Sequence, residues 1–125
     1  MQAASVLASL LTIAASPILQ KAQSPAPGQY THADQIAAYA TATVGVAQAE
    51  KICPGYRRHP TNMAALRTWM EIKDADKVEL SRQTAAAERT MMAKIKAEGA
   101  SAWCISIVAL FGPEGTLARG LLDKQ

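Results

Sequence analysis

The sequence predicts an all-α protein, a small bundle of four main helices with a short C-terminal helix, stapled by one disulfide. Three observations predict it. Apolar residues recur at helical spacing in four segments separated by Pro, Gly or Asp, and no run alternates apolar with polar residues as a half-buried strand would. Residues 35–49 and 99–113 each run for 15 positions without a charge, too short to cross a bilayer and well suited to core helices. The only two cysteines, Cys53 and Cys104, stand just beyond the first of these stretches and inside the second.

Taken in order, residues 1–24 read as a signal peptide. An apolar core at residues 3–15 (AASVLASLLTIAA) precedes small residues and a proline-rich exit. Two features run against that reading: no Lys or Arg precedes the apolar run, and each small-residue cleavage pattern is followed by proline. The alternative is an Ala-rich helix packed on the body of the protein, which makes the protein cytoplasmic. A third possibility is an uncleaved membrane anchor. Residues 25–29 form a linker in a Pro- and Gly-rich stretch, and residues 30–125 a single helical domain.

The first helix of that domain starts at Thr31, with Asp34 in its first turn, and places Ile36, Ala40, Val44 and Ala47 on one side. Gly45 costs a helix about 1 kcal/mol relative to alanine and so marks a close contact with a neighbour. Cys53-Pro54-Gly55 ends the helix. The next begins at Thr61 or Asn62 and carries a stripe of Met63, Leu66, Trp69, Met70 and Ile72. Lys73-Asp74-Ala75-Asp76 breaks it, and Asp76 with Glu79 opens a third helix from Lys77 to Glu98, ended by Gly99. Its inner face is expected at Val78, Ala85, Met92 and Ile95. The fourth helix, with Trp103, Ile105, Ile107, Val108, Leu110 and Phe111, is apolar on nearly all sides and is expected to be central. Gly112-Pro113 stops it, and residues 116–122 are expected to add a last helical turn, closing over the core with Leu117, Leu121 and Leu122.

Composition excludes several functions. The net charge is +3, and without residues 1–24 the 12 basic and 10 acidic groups are too few and too scattered to track phosphates, so no nucleic acid is expected. No Gly-x-Ser-x-Gly, His-Glu-x-x-His or Cys-x-x-Cys occurs. His32 and His59 each lack a second ligand at metal spacing, and no cofactor or metal is expected.

Cys53 and Cys104 admit two readings. Joined, they close a loop that stabilises the fold by about 4 kcal/mol. Free, Cys104 in the first turn of its helix is the thiol that a redox or nucleophilic enzyme would use, with His59 as the base in reach. An even cysteine count and an export signal favour the disulfide. The expected function is therefore non-catalytic: an exported, periplasmic or secreted protein that binds another protein. A chaperone, inhibitor or immunity type is expected; in plan alone the chain resembles acid-stress periplasmic chaperones and some immunity proteins of secreted bacterial toxins, and no residue carries over from that likeness. The candidate partner surface is Tyr56, Arg57, Arg58 and His59, the only clustered basic stretch, with Trp69, Met91 and Met92, since these residue types are common in protein contacts.

Overall fold

Why the first long helix becomes the centre of the molecule follows from its small residues. In the computed structural model, which describes residues 30–125, α1 spans His32–Ile52 and buries Ile36, Tyr39, Ala40, Ala42, Val44, Gly45, Val46 and Ala49. From Tyr39 onward these positions point to almost every side, so neighbours surround the helix. Gly45 is the point of closest approach. A Cβ placed there would lie 2.9 Å from Ile107 Cδ1 and 3.4 Å from both Met91 Cε and Phe111 Cε2. The expected signal segment and linker, residues 1–29, lie outside the described residues.

The other helices among the described residues are α2 (Pro60–Trp69), α3 (Lys77–Glu98) and α4 (Ala100–Phe111), with a 3-10 turn at Asp74–Asp76. Residues His32–Gln125 form one compact unit, a small all-α bundle. Among the described residues no helix is long and apolar enough to cross a membrane.

The boundaries of α3 are those the sequence predicts, but its inner face is not. Val78, Ala85 and Met92 are exposed, and the side packed on α1 carries Met91, with Leu80, Ala87 and Ile95 half-buried. The spacing of that set, seven then four then four, is a better helical stripe than the expected one. Alanine-rich turns left the choice of face to a few large residues. Nor is α4 central. It buries Trp103, Ile107 and Phe111 on one side and turns Ile105 outward. Trp103 and Phe111 supply the bulk that the small residues of α1 lack, at about 1.5–3 kcal/mol for each fully buried large side chain. One face suffices for that.

The chain after α4 departs most from expectation. Residues 112–121 form turns instead of a helix, closed on three carbonyls: Thr116 N–H donates to Ala109 O, Leu117 and Ala118 N–H donate to Leu110 O, and Gly115 and Gly120 N–H donate to Gly112 O. Gly115 approaches so closely that a Cβ would sit 2.5 Å from Leu110 O. The segment then leads into a strand that the sequence did not announce. β2 (Leu122–Lys124) pairs antiparallel with β1 (Tyr56–Arg58), in the register Tyr56 to Lys124, Arg57 to Asp123 and Arg58 to Leu122. Leu121 and Leu122 are buried, as expected; Leu117 is not.

Cys53 and Cys104 are joined, with Cα atoms 5.5 Å apart. The bond ties the residue after α1 to the start of α4. Cys53 is buried and Cys104 half-buried against the core.

Candidate functional site

A stripe of α2 builds one wall of a groove, because Asn62, Ala65, Leu66 and Trp69 recur at three, four and seven residues and so share a side of the helix. Leu117, Ala118, Arg119 and Leu121 build the other wall, and the hollow between them measures about 420 Å³. The start of α2 is held by His59, not by Thr61 or Asn62: His59 Nδ1 accepts the N–H of Asn62 at 3.1 Å, and Pro60 occupies the first turn, where no N–H is needed. Asn62 instead spans the groove. Its Nδ2 donates to Gly120 O at 2.8 Å, which fixes the C-terminal segment against the helix.

Leu66 and Leu121 are buried and form the floor. The rims stand out into solvent, with Trp69 78 % exposed and Leu117 70 % exposed. The outer side of α4 adjoins them through the bond from Leu117 N–H to Leu110 O. That side, residues 101, 102, 105, 106, 109 and 110, is exposed and wholly uncharged, with Ile105 74 % exposed. Among the described residues Arg119 is the one charged residue lining the groove, and it makes no ion pair. No family model, curated protein or solved structure matches the chain.

The chemistry must therefore be read from the lining alone. It offers an indole, aliphatic chains, an amide and a guanidinium, with no carboxylate, imidazole or thiol among the described residues. Such a groove can bury an apolar side chain and attract an acid, and it holds no group suited to moving a proton or forming a bond. Among the described residues, displaced titration is found elsewhere, at His32, Asp76 and Glu79. Glu79 is held below its usual value by hydrogen bonds from Gln83 and then Arg82, all along one side of α3.

The expected partner residues are scattered. Of the seven, only Trp69 lines the groove. Tyr56, Arg57 and Arg58 make up β1 instead of a loop; Arg58 N–H donates to Glu50 Oε2 at 2.9 Å, and Tyr56 packs against the core. His59 is spent on capping α2. Met91 is not surface at all: at 8 % exposure it packs beside Gly45, while Met92, 52 % exposed, faces out. Two adjacent helical positions point about 100° apart, so a Met-Met pair cannot be all outward at the edge of a core. Leu117, Leu110 and Ile105 were missed because each was expected to be core. Cys104, the nucleophile that the alternative reading as a thiol enzyme would need, has its sulfur bonded to Cys53 as the favoured reading expects, and no free cysteine remains among the described residues.

Proposed function

We propose that the protein acts by binding another protein through the groove beside Trp69, and that it does so without catalysing a reaction. The observation that carries this reading is the exposure of Trp69 and Leu117 on facing rims of an apolar hollow, continued by the uncharged side of α4. Large apolar side chains exposed together, unlike single ones, mark an interaction surface, and aromatic and aliphatic side chains around a pocket are what binding surfaces concentrate. Arg119 at the edge adds selectivity for a partner with a carboxylate near its apolar anchor. Tyr56, Arg57, Arg58, His59 and Met92 do not line that groove.

The setting proposed is an oxidising, exported compartment, periplasmic or secreted, with residues 1–24 as the signal that directs the chain there. The Cys53–Cys104 bond supports this, since such bonds persist where thiols are not kept reduced. The test is affinity capture from that compartment with the wild-type chain and with a Trp69→Ala, Leu117→Ala double variant. Because both side chains are exposed, the variant should fold unchanged. A protein retained by the wild type and lost with the variant supports the reading; identical retention by both overturns it.

A further inference from the structure

We propose that His32, Gln35 and Asp76 form a proton-dependent clasp, which holds the first turn of α1 to the turn that opens α3 and grips harder when the imidazole is charged. The geometry carries it. His32 Nε2 lies 2.9 Å from Asp76 Oδ2, and His32 Nδ1 lies 2.8 Å from Gln35 Oε1. With an acceptor at each ring nitrogen, both nitrogens must donate, and only imidazolium has two N–H groups. Gln35 could turn its carboxamide to serve a neutral ring, but a carboxylate cannot become a donor without a proton of its own. Asp76 is what makes the contact depend on charge.

A cation at the start of a helix is otherwise misplaced, because the aligned peptide dipoles make that end positive. Asp76 compensates, and it is itself fixed in place: its Oδ2 also accepts the N–H of Lys73 at 2.8 Å. It makes no capping bond to the α3 backbone, although its position is the one a cap would take. The carboxylate is turned toward α1 instead. Besides Asp76, the acid acting on His32 is Glu71, in the turn after α2; Lys73 acts on Asp76.

These neighbours set a pH window. The hydrogen bonds to Gln35 and then to Asp76 raise His32 above its ordinary 6.5. A ring that holds its proton more tightly folded than unfolded adds stability fully below 6.5, and that contribution fades as pH rises through the folded value. The bonds from Lys73 N–H and then His32 lower Asp76 below its ordinary 3.8, so its contribution is present above 3.8 and lost as pH falls through the lower folded value. The clasp is thus fully made between 3.8 and 6.5 and loosens on the alkaline side. Mild acid tightens the start of α1.

The test uses NMR on the full chain. The His32 ring should titrate above 6.5 in the wild type and nearer 6.5 in Asp76→Asn. Exchange protection of the amides of residues 36–38, corrected for the intrinsic rate at each pH, should be roughly two- to fivefold greater at about pH 5.5 than at about pH 8, the range open to an exposed ion pair. In His32→Gln, which removes the titration and keeps a polar side chain, that ratio should fall to one. Titration of His32 at or below 6.5, or equal wild-type protection at the two pH values, overturns the proposal. Should Asp76→Asn fail to fold, the wild type and His32→Gln still decide it.

Discussion

Replacing both Cys53 and Cys104 with alanine should weaken the domain by about 4 kcal/mol. The figure follows from the 51-residue separation of the bonded pair, since the entropy of closing a loop of that size in the unfolded chain amounts to about 4 kcal/mol at room temperature. On the folded side, alanine leaves the small space of two sulfurs, one of them in the core, which adds to the loss and introduces no new polar group. Set against the roughly 5–15 kcal/mol that hold a domain together, the bond is a large share of the total. Urea unfolding followed by circular dichroism reads the effect. With a slope of about 1–1.5 kcal/mol per molar for a chain of this size, the midpoint should fall by roughly 3 M. The slope should also rise, because an unfolded chain without the cross-link exposes more surface. A loss under about 1 kcal/mol with an unchanged slope would refute the reasoning, since the cross-link would then not restrict the unfolded chain.

Two further substitutions test how the bundle and the groove are built. Gly45→Ala should be close to neutral: the gain in helix propensity of about 1 kcal/mol is offset by the shift demanded of Ile107 Cδ1, the movable end of a side chain 2.9 Å from the new Cβ. Gly45→Leu should cost at least about 3 kcal/mol by overpacking against Ile107, Met91 and Phe111, and thermal unfolding of the two variants side by side separates these outcomes. Asn62→Ala removes the bond to Gly120 O and should cost about 1 kcal/mol. Amide exchange in residues 117–121 should quicken with it, because that bond fixes one groove wall to the other.

Much of the fold was legible where a local signal was strong. Asp76 and Gly99 bracket α3 at the expected residues, and of the two readings of the cysteines the favoured one, a bond between Cys53 and Cys104, is the one observed. What failed was orientation. The more hydrophobic of the two uncharged stretches was expected to be central, and only packing decided that α1, with its alanines and Gly45, would be surrounded while α4 would offer one face. The strands were invisible because three residues are too few to display an alternating pattern. The groove was half legible. Trp69 stood out by residue type, but its opposing wall depends on backbone bonds from Leu117 and Ala118 to a carbonyl seven or eight positions back, a turn geometry that no apolar pattern encodes.

The claim that the groove is a binding surface is tested most directly by photo-cross-linking in living cells. A photoreactive residue would replace Leu117 at the rim, and a second chain would carry it at Arg89, exposed on α3. The account predicts a covalent adduct with one particular protein from position 117 and none with that protein from position 89. Adducts of the same pattern from both positions, or none from 117, would contradict it.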